Sequence, residues 1–258
     1  MPTQSRSERI FLELLRSGEL NVDTLAVLFN VTSATIRRDL ADMEQRGLLR
    51  RTHGGAVPVE PMLYEPFRHD VKFQDQEQIH SEEKRRIGLA AAQLVENDET
   101  IAISAGTTAT QVARSLRNRS NITIITNTVN IPMELSNQAG LTVQVTGGVL
   151  RGSWFSLVGI KAAESLNDVY VDWAFIGVDG IDSERGFTSH YPEESVVNRA
   201  MVTHARRKVV LAHHEKFGRV CTALICAVNE IDLIITDTGA TDEVIAPFVK
   251  HGIEVKCV

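Results

Sequence analysis

The sequence predicts an α/β protein in which a small helical head with a β-hairpin is joined to a larger body built on a mostly parallel sheet. Three observations predict this. Up to residue 57, apolar residues recur at helix spacing and a glycine-tipped run follows them. Pro58, Pro61 and Pro66 then punctuate a stretch with no clean period. Beyond it, short β-branched runs alternate with helical patterns, as expected of strands buried on both faces. The expected divisions are a head at 1–57, a linker at 58–80 and a body at 81–258.

In the head, Ile10, Phe11, Leu14 and Leu15 share one helix face, and Gly18 is placed to end that helix. Asn21 or Asp23 can cap a second helix carrying Leu25, Leu28 and Phe29. Asn30-Val31 form a tight turn, and Thr32 is an N-cap candidate for a third helix with Ile36, Leu40 and Met43 on its inner face. Gly47 can terminate it, and residues 48–57 read as a hairpin with Gly54-Gly55 at the tip. In the body, Ser81 can cap a helix running to about Val95. Strands are expected at Thr100–Ser104, Ile122–Thr126, Leu141–Val145, Trp173–Gly177, Lys208–Ala212 and Ile231–Thr236. Helices are expected at Thr108–Leu116, Asn130–Ser136, Pro192–Ala205 and Thr241–His251.

Composition narrows the classes of function. The 258 residues carry 27 Lys+Arg against 33 Asp+Glu, a net charge of −6. This argues against a protein that coats nucleic acid or anionic membrane by bulk charge. No apolar run is long enough for a membrane span, and Met1–Arg6 lacks the apolar stretch of a secretory signal, so a cytoplasmic protein is expected. Cys221, Cys226 and Cys257 contain no C-x-x-C pair and are expected to be buried small hydrophobes in a reducing cytosol. A zinc set of Cys221, Cys226, His213 and His214 matches no common spacing, so no metal, cofactor or catalytic residue is expected.

The charge is unevenly spread. Residues 1–56 hold eight arginines and seven acids, a net of +1, and the remainder is −7. Five of those arginines lie between Arg37 and Arg51. Three helices with a short turn between the last two, then a hairpin, make a winged helix-turn-helix layout. On the third helix, Ala34, Arg38 and Ala41 fall opposite the apolar face, flanked by Thr35 and Arg37. Small residues there let a helix sink into a major groove, with Arg38 reaching a guanine edge or a phosphate and Arg37 a phosphate. Arg50, Arg51 and His53 add backbone contacts from the wing. The alternative is a solvated face on which Asp39, Asp42 and Glu44 pair with those arginines.

The body carries a candidate anion site. The strand ending at Ser104 runs through Ala105-Gly106-Thr107-Thr108 into a helix, so free backbone N–H groups and two hydroxyls face one point. Asn127 follows the second strand, and Gly147-Gly148 with Arg151 follows the third. Ligands sit at such strand C-termini in open α/β sheets, and an arginine there suits a phosphate or a carboxylate. Taken singly, each residue also reads as an ordinary loop or turn group.

The run Val31-Thr32-Ser33-Ala34-Thr35-Ile36-Arg37-Arg38-Asp39-Leu40, with Gly47-Leu48 and Arg51-Thr52-His53-Gly54-Gly55-Ala56, resembles the DeoR-type family of bacterial transcriptional regulators. The resemblance continues through Ser81-Glu82-Glu83-Lys84, Gly177-Val178-Asp179-Gly180-Ile181-Asp182 and Lys216-Phe217-Gly218. It implies a DNA-binding head, to which Ser33 also contributes, and a sugar-phosphate sensing body of ribose-5-phosphate isomerase-like type. It further implies that Asp179 and Glu194 bind hydroxyls and that Lys216 binds the sugar or its phosphate. Two positions depart from the family pattern: Ser104-Ala105 stands where Asp-Ser is common, and His213 where Asp is common. The expected function is a repressor of carbohydrate-metabolism genes, acting as a homo-oligomer (dimer or tetramer) on double-stranded operator DNA and relieved by a phosphorylated sugar. A phosphosugar aldose–ketose isomerase with an appended head is the alternative.

Overall fold

The computed structural model describes residues 5–58 and 71–258, which fall into two compact units. The head runs α1 (Arg6–Ser17), β1 (Leu20–Asn21), α2 (Val22–Phe29), α3 (Ser33–Gln45), β2 (Leu49–Arg51) and β3 (Gly55–Pro58). Of the two cap candidates for α2, Asn21 serves: its Oδ1 accepts from the Asp23 and Thr24 N–H groups at 2.9 and 3.2 Å. The Thr32 hydroxyl caps α3 by accepting from Thr35 N–H at 3.2 Å. Ile10, Leu14, Leu25, Ile36, Leu40 and Met43 close the core, whereas Leu28 faces outward.

The sequence does not announce β1, whose two residues are too few for a period. It pairs antiparallel with β3, Leu20 opposite Ala56 and Asn21 opposite Gly55, giving a sheet of order β1-β3-β2. Gly55 is therefore a strand residue and not part of the hairpin tip. A Cβ there would lie 1.6 Å from the Leu20 carbonyl oxygen, so only glycine permits this approach.

The body runs α4 (Val71–Gln78), α5 (Ser81–Ala92), β4 (Thr100–Ile103), α6 (Thr107–Ser115), β5 (Ile122–Thr126), α7 (Asn130–Leu135), β6 (Leu141–Val145), β7 (Val149–Arg151), β8 (Ser156–Val158) and α8 (Ile160–Glu164). It continues with β9 (Val171–Gly177), β10 (Gly180–Asp182), β11 (Gly186–Ser189), α9 (Pro192–Thr203), β12 (Ala205–Leu211), β13 (Ala223–Cys226), β14 (Leu233–Thr236), α10 (Asp242–Lys250) and β15 (Glu254–Cys257). Seven strands form one sheet of order β15-β14-β12-β9-β4-β5-β6, and every neighbouring pair in it is parallel. Alternate strand residues point to opposite faces. Ile101, Ile103, Ile124, Phe175, Val209, Leu211 and Ile235 pack under α5, α6 and α7, while Ala102, Ala174, Ile176, Val210 and Ile234 pack with α9 and α10. Smaller antiparallel sheets, β10-β11-β13 and β7-β8, flank the main one.

Three expectations need correction. The stretch 58–80 carries α4, anchored by Phe73, which is 1% exposed and meets the Phe155 ring edge-on at 5.1 Å. One apolar anchor in eight residues gives no readable period, and Pro61 and Pro66 lie outside the described residues. Ser81 is the first residue of α5 and not its cap. The cap position belongs to His80, whose φ of 54° turns the chain directly from α4 into α5. Of the three cysteines only Cys226 is buried; Cys221 is half-buried, and Cys257 is exposed on the edge strand β15. Among the described residues no helix is long and apolar enough to cross a membrane.

Candidate functional site

On the head, ion pairing decides which arginines remain available. Asp39 takes Arg6 of α1 in a two-pronged contact at 2.6 and 3.0 Å. Asp42 lies 3.8 Å from Arg46, and Glu44 accepts from Arg51 through both Nε (2.7 Å) and the backbone N–H (2.8 Å). Arg37 and Arg38 are exposed and pair with no acid among the described residues. The alternative in which the acids of α3 pair with the arginines of this face thus holds for Arg46 and Arg51, and has no ion pair behind it for Arg37 and Arg38 among the described residues. Arg50 and His53 are exposed on the wing, while Arg51 pins the wing to α3. Thr35 shares a 2.9 Å contact with the Thr32 hydroxyl, and Ser33 donates to Asp23 at 2.9 Å, so both serve the start of α3 in this conformation.

In the body, strand order locates the cavity. The chain leaves β4 toward β5 and β6, then returns to place β9 on the other side of β4. The connections diverge at β4 and β9, and a crevice opens outside the carboxyl ends of such a pair. A cavity of about 290 Å³ lies there. Its walls include Gly106, Thr107 and Thr108 beyond β4, Asp179 beyond β9, and His213 and Lys216 beyond β12. Gly106 starts α6 with φ of 124°, a conformation glycine tolerates, and no side chain caps the helix. The first turn of α6 therefore offers its N–H groups to the cavity.

The sequence-selected residues divide in two. Gly106, Thr107, Thr108, Asp179, Glu194 and Lys216 line the cavity. Ser104, Asn127, Gly148 and Arg151 do not, and each has other work. The fully buried Ser104 hydroxyl accepts from Gly177 N–H at 2.9 Å, tying the ends of β4 and β9 together. Asn127 accepts from Ala105 N–H at 3.0 Å and donates to Leu157 O at 3.1 Å, fixing the loop before α6. Gly148 is a packing position, where a Cβ would meet Val158 O at 2.7 Å. Arg151 stacks on the Tyr191 ring, 3.6 Å from its centroid, and stands 3.7 Å from the Glu194 carboxylate behind the cavity wall.

The charges in the cavity are strained by burial. Burial, reinforced by Asp179 and opposed by Arg151, raises the Glu194 carboxyl to about 7. Asp179 accepts from the Ser189 hydroxyl (3.2 Å) and His190 N–H (3.0 Å) and faces Lys216 at 3.7 Å. Lys84 of α5, 3% exposed, donates to the Gln76 carbonyl; burial and then Lys216 push its ammonium down to about 8. Burial also lowers His213 to about 3, helped by Lys216, His80 and Lys84, so its ring is neutral near pH 7. Sequence reasoning did not select Gln76, Lys84, Trp154, Tyr191 or Asn198, all of which line the cavity. For Lys84 a signal existed, since it ends the Ser81-Glu82-Glu83-Lys84 motif.

The head and body together have the layout of a DNA-binding module carried by a ligand-sized α/β pocket. Residues 6–61 match the DeoR-like helix-turn-helix domain, and residues 79–238 match the DeoR C terminal sensor domain. Similar chains include the HTH-type transcriptional regulator GolR of Listeria innocua serovar 6a, 31% identical over 97% of each chain. The HTH-type transcriptional repressor GlcR of Bacillus subtilis is 32% identical over 94% of this chain and 91% of its own. The Glycerol-3-phosphate regulon repressor of Escherichia coli strain K12 is 28% identical over 98% of each. Among solved structures, ribose 5-phosphate isomerase A from Neisseria gonorrhoeae is similar at 15% identity and a TM-score of 0.40, covering 53% of each chain. The chain belongs to the DeoR family of transcriptional regulators. It is a DNA-binding regulator and not an isomerase, as its relatives carry the names of regulators and repressors.

Proposed function

We propose that the protein is a cytoplasmic, homo-oligomeric repressor of carbohydrate-metabolism genes, and that a phosphorylated sugar bound in the body weakens its hold on operator DNA. The cavity at the β4–β9 divergence supports this reading most. It joins an anion-binding helix start and two lysines, Lys84 and Lys216, to the carboxyl groups of Asp179 and Glu194. The cationic end suits a phosphate, and the acids suit sugar hydroxyls. One relative's name, the glycerol-3-phosphate regulon repressor, points to the same chemistry. On the head, Arg38 reads a base edge, and Arg37, Arg50 and His53 hold phosphates, while Arg51 positions the wing through Glu44 and Ser33 and Thr35 sit at the start of the reading helix. One head makes few contacts, so two or more copies act on repeated half-sites.

Two measurements test this. A thermal-shift screen of the full chain against triose, pentose and hexose phosphates should find a compound that raises the melting temperature, and Thr107→Ala should abolish that rise. The same compound should release a DNA fragment enriched from genomic DNA by the full chain. No shift with any phosphosugar refutes the effector assignment. Arg38→Ala should weaken binding to the enriched fragment by about tenfold to a hundredfold, the value of a lost base contact. Unchanged binding refutes the recognition-helix assignment alone.

A further inference from the structure

Three imidazoles meet where the chain enters α5 and leaves β12. His80 stacks on His213 with ring centroids 4.6 Å apart and 29° between planes, and it meets His214 edge-on at 5.2 Å. One ring nitrogen or another of each lies within 4.8 Å of the others. His213 is 5% exposed, and its buried Nδ1 has no hydrogen-bond partner among the described residues. A polar atom in that position is costly unless something binds it.

The surroundings resemble the support a metal ligand receives. His214 Nδ1 lies 2.7 Å from Asp237 Oδ2, the carboxylate–imidazole pairing that orients the other ring nitrogen toward a ligand. Asp237, 2% exposed, is itself fixed by the N–H groups of His214 (2.7 Å) and Gly239 (2.9 Å). Glu215 Oε1 stands 3.1 Å from His80 Nε2, and Glu83 Oε2 stands 4.0 Å from His80 Nδ1.

We propose that His80, His213 and His214 form a site for a divalent transition-metal ion of the zinc type, with Glu215 as the fourth ligand. Imidazoles with one carboxylate suit Zn²⁺, Co²⁺ or Ni²⁺, whereas Mg²⁺ and Ca²⁺ require mostly oxygen ligands. Tetrahedral ligands about 2.0–2.1 Å from the metal lie about 3.4 Å from one another. The rings must therefore close by a little over 1 Å, roughly, from their present spread. His80 and His214, with side chains 21% and 32% exposed, have room to turn toward the fixed His213. Lys84, Lys216 and Arg219 oppose a cation here, Arg219 standing 3.6 Å from Glu215, but Glu83, Glu215 and Asp237 match them in number, and Lys216 is engaged by Asp179. The set of Cys221, Cys226, His213 and His214, whose spacing matches no common zinc pattern, is also taken apart by the fold: Cys226 lies in the apolar core, and Cys221 sits 3.7 Å from His190. A bound ion would clamp the α4–α5 junction to the end of β12, one helical turn from Lys84 in the cavity wall.

The test uses the tag-free full chain, stripped with chelator, in the absence of sugar and DNA, so its result is separate from the regulator reading. Zn²⁺ is titrated by calorimetry and Co²⁺ by visible absorption, which reports tetrahedral coordination. One ion per chain is expected, with no binding of Mg²⁺. His80→Ala and His213→Ala should each lower affinity at least tenfold, and Asp237→Asn about tenfold to a hundredfold. Cys221→Ser should leave it unchanged. If His213→Ala fails to fold by circular dichroism, the half-buried His80→Ala decides the matter alone. No saturable Zn²⁺ binding, binding that survives His80→Ala, or loss in Cys221→Ser overturns the assignment.

Discussion

Glu194→Gln should change how stability depends on pH, and the direction follows from the cavity. The carboxyl is raised from 4.5 to about 7, first by burial and then by Asp179 across the cavity, against the opposing pull of Arg151. A raised carboxyl means that the folded state holds a proton the unfolded state has released. Between pH 4.5 and 7 stability therefore falls as pH rises, and the loss is complete above 7. At about 1.4 kcal/mol per pH unit the full loss is about 3 kcal/mol, of which about 2.5 kcal/mol accrues between pH 5 and 8. His213 acts in the opposite sense. Its folded value of about 3 lies below the unfolded 6.5, so its contribution rises with pH across much of the same window. Lys84 changes only above about 8. The contributions of Glu194 and His213 thus oppose one another where they overlap, and the difference between wild type and Glu194→Gln isolates the carboxyl. Melting temperatures of both full chains from pH 5 to 8, in chelator, should diverge by about 5–10 °C, with the variant gaining as pH rises. A difference that does not change with pH would refute the placement of Glu194 as a buried acid.

Other perturbations separate support from contact. Gly55→Ala should cost about 3 kcal/mol by forcing β1 off β3, read as a lower first transition on heating the full chain. Asn127→Ala leaves the buried Ala105 N–H without its acceptor and should cost about 2–3 kcal/mol. It should also weaken any phosphosugar-induced shift, although Asn127 does not line the cavity. Arg37→Ala should weaken enriched and scrambled DNA alike and lower the salt slope by about one per lost phosphate contact. An effect confined to the enriched sequence would instead assign Arg37 to base reading.

The elements legible in the sequence are those whose own residues carry the signal. The central strands read as β-branched runs because both of their faces are buried, and α1 to α3 read from caps and spacing because each closes one small core. The short antiparallel strands β1, β7, β8, β10, β11 and β13 were not legible, since they lack the run of β-branched residues that marks the equally short buried strands β4 and β14. The cavity was legible only in part, for a more specific reason. Sequence places polar or glycine residues after β4, β5, β6 and β9 alike, and nothing local distinguishes them. Strand order does. Because β9 returns beside β4, the carboxyl ends of β4 and β9 border the cavity, while those of β5 and β6 lie further along the sheet. Asn127 and Gly148, which follow β5 and β6, therefore became scaffold, and Gly106 and Asp179, which follow β4 and β9, became walls. The same logic holds on the head, where Arg38 and Arg51 are both exposed arginines in the sequence pattern. Only the fold shows that Glu44 is spent on Arg51, while Arg37 and Arg38 pair with no acid among the described residues.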